Sequence, residues 1–191
     1  SDHVDEVVVV NVTPNGDARD PVFVDVIERY AANVWCPLTV GGHIRTVDDV
    51  RFWISEAGAD KVLIAGAAGV DFEPMAEKFG RQALVFGVDY EEAWTPKLPL
   101  VPVGEILLNN ITRDGSLLGY DLRVLREVVG TVDVPVVVAG GCGTWAHMCE
   151  AFQAGASGAC TSVIHHLTDT SMKACKDWLQ ANCPIPTRNA A

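Results

Sequence analysis

The second half of this chain repeats the first half, and this repeat limits the folds open to it more than any other feature of the sequence. Three pairs of segments align in the same order: EVVVVNVTPNGD at 6–17 with EILLNNITRDGS at 105–116, PLTVGG at 37–42 with PVVVAGG at 135–141, and EAGADKVLIAGAA at 56–68 with QAGASGACTSVI at 153–164. The first pair has an offset of 99 residues and needs no gap. A repeat of this length indicates a duplicated structural unit.

Short apolar runs rich in valine and isoleucine predict seven strands. They lie at 4–12, 36–42, 61–66, 83–89, 104–111, 134–141 and 158–163. These runs are nearly continuous instead of alternating with polar residues, so we expect both faces of the sheet to be covered. That pattern is typical of a parallel sheet.

Helical patterns lie between most of the predicted strands. They lie at 20–33, 46–57, 71–79, 121–130, 144–154 and 169–181. Thr46 and Asp121 stand where helix N-caps are expected. The segment 90–103 has no room for a proper helix, so we expect a short, irregular crossover there. The alternation of strand and helix predicts an α/β fold with a parallel sheet.

The duplication predicts a TIM-type (βα)8 barrel in which strands 2, 3 and 4 correspond to strands 6, 7 and 8. The strand at 83–89 precedes the second copy, whereas the chain holds no counterpart ahead of the first copy. The chain is also about 60 residues shorter than a typical barrel of about 250 residues. We therefore expect one incomplete barrel domain over residues 1–191, with about seven strands and without the first βα unit.

Composition excludes several classes of partner. The formal net charge is −11 and no basic run occurs, so nucleic acid and anionic membranes are not expected partners. No apolar stretch is long enough to span a membrane and the start does not resemble a signal peptide, which favours a cytoplasmic location. The six cysteines show no zinc-type spacing, and reduced thiols are favoured over a disulfide framework. His165 and His166 lack a third ligand nearby, so neither a metal site nor a cofactor is expected.

Glycines follow several strands, where the chemistry of a barrel is found. Two readings apply to them: they serve tight turns, or their backbone N–H groups bind a phosphate. Two glycine loops in equivalent copies favour phosphate. The proposed ligand contacts are Gly41, Gly42, Gly66, Ala67, Asn109, Asp114, Gly140, Gly141, Gly143, Thr161 and Ser162. His43 is interpreted as a loop residue.

Asp89 is the one carboxylate that ends an otherwise apolar strand, after ALVFGV. At the mouth of a barrel such a group is placed to act as a general acid or base. The alternative is an N-cap for the segment that follows. We favour the catalytic position.

The order of these motifs resembles the cyclase subunit of imidazole glycerol phosphate synthase, and also its paralogues in the amidation of surface sugars. The residues that carry the resemblance are PLTVGGHIRTVDDV, AGADKVLIAGAA, FGRQALVFGVD, GEILLNNITRDGSLLGYDL and VPVVVAGGCGTWAHMCEAFQAGA, and the similarity extends over residues 4–167. It implies a barrel that takes ammonia from a glutaminase partner and cleaves and cyclises a bisphosphorylated nucleotide. It also implies two catalytic aspartates, of which Asp89 matches one and the other falls in the missing unit.

Several positions depart from the pattern of that family. Asn11 stands where the family has aspartate, Ala65 and Gly66 where it has asparagine and threonine, Thr112 where it has aspartate, and His43 where it has glycine. Asn11 is kept as a second candidate catalytic residue. The departures lean away from the standard histidine enzyme without choosing between histidine synthesis and sugar amidation.

Two hypotheses follow from the sequence. The first is a cyclase-type enzyme, weak or inactive as this chain, because half of the acid–base pair is missing. The second is a non-catalytic or diverged phosphate-binding barrel. Because a missing strand leaves unpaired sheet edges, we expect a homo-oligomer in which another copy covers the gap.

Overall fold

The structure is a computed structural model that describes residues 3–167 and 171–184. The strands are β1 (Val7–Val10), β2 (Leu38–Gly41), β3 (Lys61–Ala65), β4 (Leu84–Tyr90), β5 (Glu105–Asn110), β6 (Val136–Ala139) and β7 (Gly158–Ala159). The helices are α1 (Pro21–Asn33), α2 (Val47–Ser55), α3 (Glu73–Phe79), α4 (Leu122–Val129), α5 (Trp145–Gln153), α6 (Val163–Leu167) and α7 (Met172–Asn182). All seven predicted strands are confirmed, and so is the parallel α/β class.

The strands belong to one sheet, in which strand order follows chain order from β1 to β7. Within it, β1 pairs with β2, β2 with β3, β3 with β4, β5 with β6 and β6 with β7, all in parallel. Parallel neighbours require a crossover between them, which the helices supply. The carboxyl ends of the strands therefore lie at one edge of the sheet, where the loops with candidate site residues begin.

Contacts divide the chain into two compact units, with a boundary inside β4. The first unit contains residues 3–87 and 100–105, and the second contains residues 88–99, 106–167 and 171–184. The first unit thus holds the first copy of the repeat, and the second unit holds almost all of the second copy. The single domain over residues 1–191 stays a prediction.

In the first unit, one face of the sheet forms the core beneath α1, α2 and α3. Val40, Val62, Ile64 and Leu84 on this face are fully buried. Above them, the rings of Phe23 and Trp53 join α1 to α2 with centroids 5.4 Å apart. Burial of this apolar face is the main driving force for folding of the unit.

The opposite face of the strands is less covered than the continuous apolar runs predict. β2 is buried along its whole length, as expected, but β1 is half-buried to exposed. In the second unit β5 and β6 alternate between buried and half-buried residues. The prediction that both faces are covered is therefore wrong for β1, β5 and β6. In β5 and β6 one face is buried and the other is half-buried, whereas β1 has no fully buried residue on either face.

The predicted helix starts at Thr46 and Asp121 are confirmed. The Thr46 hydroxyl accepts a hydrogen bond from the Asp49 N–H, and the Asp121 carboxylate accepts from two N–H groups of α4. The strand predicted at 158–163 is too long, because β7 ends at Ala159 and a short helix, α6, begins at Val163. The helix predicted at 169–181 corresponds to α7, and residues 169 and 170 lie outside the described part of the chain.

The segment between β4 and β5 contains no helix, as predicted. Its residues 91–99 belong to the second unit and are held there by aromatic and backbone contacts. The Tyr90 and Trp94 rings lie 5.2 Å apart, and the Arg123 guanidinium donates to the Trp94 carbonyl at 3.1 Å. A short irregular crossover is therefore enough to connect the two strands.

The prediction of reduced thiols is wrong for one pair of cysteines. Cys149 on α5 and Cys183 after α7 form a disulfide, whereas Cys36, Cys142, Cys160 and Cys175 are free. The reason is helix packing, because α7 lies against α5 and brings the two Cα atoms to 5.6 Å, within the range of a disulfide. Spacing along the chain does not reveal this packing.

Candidate functional site

The two copies of the repeat end β1 and β5 in the same way. Asn11 and Asn110 occupy equivalent positions, and both are buried. Each side-chain oxygen accepts a hydrogen bond at 3.0 Å from the N–H two residues on, at Thr13 and at Thr112. A Cβ atom on Gly42 would lie 2.4 Å from the Asn11 carbonyl oxygen, and one on Gly140 would lie 2.3 Å from that of Asn110. The geometry therefore supports the duplication.

Asn11 uses its carboxamide to hold the loop that follows β1. In addition to the bond from Thr13, its Nδ2 donates to the Asp17 carbonyl at 3.4 Å. These bonds satisfy a buried polar side chain, which would otherwise cost about 1–3 kcal/mol. A positioning role in the loop accounts for Asn11, and its catalytic role stays a prediction.

Asp89 lies at the carboxyl end of β4 with its side chain exposed. Asn109, on the neighbouring strand β5, donates from Nδ2 to the Asp89 carboxylate at 2.8 Å. Thus the second unit brings together two of the predicted site residues. The carboxylate is oriented by one hydrogen bond and keeps a free oxygen towards solvent, an arrangement that suits a proton-transfer group.

The glycine loop after β6 packs tightly against the loop that follows β5. A Cβ atom on Gly141 would lie 2.4 Å from the Gly119 carbonyl oxygen, and one on Gly143 would lie 2.3 Å from that of Leu117. Gly140 and Gly141 also have positive φ angles of 86° and 102°. Close backbone approach therefore requires these glycines whether or not an anion binds there.

N–H groups in this loop nevertheless remain available. The Gly143 N–H donates to Nδ1 of His147 at 3.1 Å. Within the described ranges, the N–H groups of Gly140, Gly141 and Cys142 have no hydrogen-bond acceptor. Such groups at the start of a helix suit an anion.

The glycines of the first unit face the chain's own side chains. A Cβ atom on Gly41 would lie 3.0 Å from Leu63, and one on Gly66 would lie 2.6 Å from the Phe86 ring. Gly66 and Ala67 belong to a single 3₁₀ turn after β3. The structure places these residues at strand ends, as predicted, with close packing around Gly41 and Gly66.

The remaining residues predicted to contact the ligand, Asp114, Thr161 and Ser162, lie in the second unit. Asp114 is exposed, and its N–H donates to the Asn110 carbonyl at 3.1 Å. Thr161 and Ser162 follow β7, and Ser162 is exposed. The Thr161 hydroxyl oxygen is buried and has no hydrogen-bond partner among residues 3–167 and 171–184. A buried hydroxyl without a partner is a group that a ligand could satisfy.

Arg113 organises the loop after β5, which sequence reasoning did not foresee. Its Nε donates to the Glu92 carboxylate at 2.8 Å, and its Nη1 donates to the Tyr120 carbonyl at 3.2 Å. Tyr120 in turn donates to the Cys160 carbonyl at 2.7 Å. Burial raises the pKa of Tyr120 well above its usual range and raises the pKa of Tyr90 to about 12, so both rings stay protonated and neutral.

A charged cluster lies in the first unit at the opposite, amino ends of the strands. The Lys61 ammonium contacts the Glu6 carboxylate at 2.8 Å and the Glu105 carboxylate at 3.1 Å, and the Thr39 hydroxyl donates to Glu6 at 2.6 Å. Burial raises the pKa of Glu105, and the nearby Lys61 only partly offsets this. Burial also lowers the pKa of Lys61, but its bonds to both carboxylates outweigh that effect and raise it overall. Glu6, Lys61 and Glu105 lie at least four positions before the ends of their strands, whereas the sequence predicts site residues only at those ends.

The described ranges lack two classes of feature. None of the helices there has the length and apolar character needed to cross a membrane. Nor do three or more histidine, cysteine or acidic side chains there come close enough to hold a metal ion.

Comparison with known proteins agrees with the arrangement of these strands and loops. A family model described as histidine biosynthesis protein matches residues 1–170. The imidazole glycerol phosphate synthase subunit HisF of Hydrogenobaculum sp. (strain Y04AAS1) is 33% identical over 204 residues, which cover 93% of this chain and 80% of that relative. The subunit of the same name from Endomicrobium trichonymphae is 32% identical over 211 residues, with 97% and 80% covered. The chain belongs to the histidine biosynthesis protein family, and its seven parallel strands give it the fold class of an incomplete TIM-type barrel.

Proposed function

We propose that this protein is a cyclase-type barrel that binds a phosphorylated, nucleotide-like ligand and uses ammonia from a glutaminase partner. The observation that carries the proposal is Asp89, oriented by Asn109 at the carboxyl end of β4. Relatives named as a subunit of imidazole glycerol phosphate synthase support the same reaction class. A cytoplasmic location is part of the proposal, because it suits a biosynthetic reaction on small phosphorylated molecules.

Asp89 acts as the acid or base in this proposal. The ligand phosphate is held by the N–H groups of the loop containing Gly140, Gly141 and Gly143, together with the hydroxyls of Thr161 and Ser162. Asn109 and Asp114 are further contacts in the second unit, and Gly41, Gly42, Gly66 and Ala67 are contacts in the first. Turnover is expected to be low, because the carboxamide of Asn11 cannot transfer a proton as a carboxylate does.

The test of this function is product formation from the synthase's nucleotide substrate and ammonium, followed by mass spectrometry. We expect slow formation of imidazole glycerol phosphate and a loss of about 10²–10⁴-fold in Asp89→Asn. Asp133→Asn is the matched control, since Asp133 is exposed and precedes β6. Equal rates in the wild type and Asp89→Asn would contradict the catalytic role of Asp89.

The glutaminase is proposed to dock at the amino ends of the strands, on the side where Glu6, Lys61 and Glu105 form their cluster. Ammonia delivered there would approach the reaction from the side opposite to the ligand loops. The test is binding of a glutaminase subunit of imidazole glycerol phosphate synthase, measured by analytical ultracentrifugation. A lack of association at micromolar concentration would remove this partner from the proposal.

A second candidate function is a non-catalytic phosphate-binding barrel that forms oligomers. Among the described residues β1 pairs only with β2, which leaves its other edge with unpaired backbone groups. Near that edge in sequence, α1 exposes Val22 and Val26, 74% and 51% accessible. An exposed apolar edge strand invites pairing with another chain, and a second copy is the proposed partner.

Light scattering tests this oligomer. We expect a dimer that dissociates in the double variant Val22→Lys and Val26→Lys. The lysine ammonium groups on α1 would then face the same groups on α1 of the second copy and repel them. Leu118→Lys is the control, since Leu118 is 79% exposed in the second unit. A wild-type monomer at micromolar concentration would rule out pairing through this edge.

A further inference from the structure

The helix α7 is held to the rest of the second unit by contacts with α5. The rings of Trp145 and Trp178 lie with their centroids 6.2 Å apart, and the Cys175 thiol lies 3.4 Å from the Met148 sulfur. All seven strands precede α7 in the chain, so α7 takes no part in the parallel sheet. The position of α7 can therefore change while the hydrogen bonds of the sheet stay in place.

The disulfide between Cys149 and Cys183 joins α5 to the carboxyl end of α7. Cys183 is the C-cap of α7, and its N–H donates to the Leu179 carbonyl at 2.8 Å. Both bonded cysteines are buried, whereas Pro184, the next residue, is exposed. The ends of helices fray, because their last hydrogen bonds have fewer neighbours to support them. Fraying of this last turn brings the Cys183 sulfur to solvent.

Gln153 supplies a hydrogen-bond donor to the other sulfur of the bond. It lies one turn after Cys149 on α5, its side chain is exposed, and its Nε2 donates to the Cys149 Sγ at 3.5 Å. A donor at this position stabilises a negative charge on that sulfur. Thiol–disulfide exchange is faster when the sulfur that leaves is the better stabilised thiolate. Attack at Cys183, with Cys149 as the leaving group, is therefore favoured.

A third cysteine in the contact between α5 and α7 does not compete for this attack. Cys175 precedes Cys183 by eight residues, which is about 12 Å along a helix. Burial raises the pKa of the Cys175 thiol to about 11. Cys175 is therefore almost entirely protonated at neutral pH, whereas only a thiolate attacks a disulfide. The bond is thus protected from rearrangement within the chain, and its reductant comes from outside.

We infer that the Cys149–Cys183 bond is a reversible thiol–disulfide switch that controls the docking of α7 on α5. A thiolate of an external dithiol attacks the Cys183 Sγ, and the Cys149 Sγ leaves as a thiolate, stabilised by Gln153, and takes up a proton. The second thiol of the reductant then displaces Cys183. Two electrons pass to the bond, so the dithiol becomes a disulfide and both cysteines become thiols. A disulfide oxidant reverses the exchange.

Opening the bond changes what holds α7 in place. The covalent link is lost, whereas the contacts of Cys175 and Trp178 with α5 remain. A cross-link stabilises a contact mainly by limiting the freedom of the separated state. Without it α7 undocks more often, which uncovers the buried Met148 and Cys149 on α5. The redox state of the two cysteines therefore sets how firmly α7 is docked, independently of the reaction proposed above.

Hydrogen exchange of the full chain in its two redox states, read by mass spectrometry, tests the switch. The same protein is measured after oxidation and after treatment with dithiothreitol, so the test needs no substitution that might fail to fold. We expect the amides of α7 to exchange about tenfold or more faster in the reduced protein, and those of β6 to change by less than about twofold. Oxidised glutathione should then restore slow exchange in α7.

The rate of reduction tests the role assigned to Gln153. The oxidised chain is mixed with dithiothreitol, thiols are trapped by alkylation, and mass spectrometry follows Cys149 and Cys183. We expect Gln153→Leu to slow the reduction by about threefold or more, because the leaving thiolate loses its donor. Gln82→Leu is the matched control, since Gln82 is exposed in the first unit, and it should react at the rate of the wild type.

Each outcome of these experiments decides one part of the inference. Faster exchange that is confined to α7 and reversed by oxidation supports the switch. Equal exchange of α7 in the two redox states overturns it. Equal loss of protection in α7 and β6 also overturns it, because the bond would then stabilise the whole unit and not the docking of one helix. The same reduction rate in Gln153→Leu and the wild type overturns the role of Gln153.

Discussion

The two copies of the repeat share a backbone path and are stabilised by different chemistry. In the first unit, Lys61 joins two carboxylates at the amino ends of the strands. The position equivalent to Lys61 in the second copy is Gly158, which has no side chain to pair. The second unit instead has the disulfide between Cys149 and Cys183. The two copies thus share the order of their strands and differ in the contacts that stabilise them.

The copies also differ in what they offer at the carboxyl ends of the strands. In the first unit β3 ends at Ala65. The loop between β2 and α2 is held by the Asp49 carboxylate, which accepts hydrogen bonds from the N–H groups of Arg45 and Thr46. The second unit places Asp89 beside Asn109, leaves N–H groups free after β6, and ends β7 near two hydroxyls. Equivalent backbone positions in the two copies therefore differ in chemistry, because Asp49 accepts hydrogen bonds from the loop before α2 whereas His147 accepts one from the loop before α5.

The largest expected effect is loss of the disulfide, which stabilises the second unit alone. Cys183→Ser should lower the free energy of unfolding by about 3–4 kcal/mol, as expected for a cross-link over 34 residues. Urea denaturation with and without dithiothreitol measures this. The free Cys36 provides the control variant, Cys36→Ser. Identical midpoints in oxidising and reducing buffer would show that the second unit does not depend on this bond.

The next largest effect is expected when the Lys61 ammonium is removed from the first unit. Lys61→Met should cost about 3 kcal/mol at neutral pH, because it leaves two half-buried carboxylates facing each other. Lys61→Arg is the conservative control. Because burial raises the pKa of Glu105, the deficit of Lys61→Met should shrink as pH falls and Glu105 becomes protonated. A deficit that stays constant from pH 7 to pH 3 would mean that packing, and not charge, explains the loss.

The third effect compares two equivalent positions of the repeat: Gly141, in the loop between β6 and α5, and His43, in the loop between β2 and α2. Gly141→Ala should destabilise the protein by about 2 kcal/mol, because φ is 102° and the new Cβ would meet the Gly119 carbonyl oxygen. His43→Gly, at the equivalent position, should change stability by less than about 1 kcal/mol, since relief of its positive φ offsets the lost contact with Thr13. Thermal unfolding of both variants checks this, and equal losses would contradict the difference between the loops.

The smallest expected effect is a pH dependence of the free energy of unfolding, caused by Glu105. Because burial raises its pKa in the folded protein above the unfolded value, the folded state binds this proton more tightly. The stabilisation is therefore complete below the unfolded pKa, about 4.5, and is lost as pH rises through the folded pKa. Glu105→Gln should remove this decline, as seen in urea midpoints between pH 4 and pH 7. The exposed Glu77→Gln should retain it.

Most of the fold was predictable because it depends on local patterns. Short apolar runs predicted all seven strands, and Thr46 and Asp121 marked two helix starts through their capping chemistry. Asp89 was found because a carboxylate at the end of an apolar strand is unusual. His147 was not found, although its equivalence to Asp49 through the repeat is a signal that the sequence carries. The Cys149–Cys183 pair has no such signal.

Local sequence patterns are enough to predict the order of strands and helices, the duplication and the polar residues at strand ends, because periodicity and turn chemistry act over a few residues. Which groups meet is known from the folded chain alone: Asn109 with Asp89, Lys61 with Glu6 and Glu105, Gly141 and Gly143 with the carbonyls of the preceding loop, and the two bonded cysteines. These contacts join residues far apart in the chain, so their distances depend on how whole strands and helices pack.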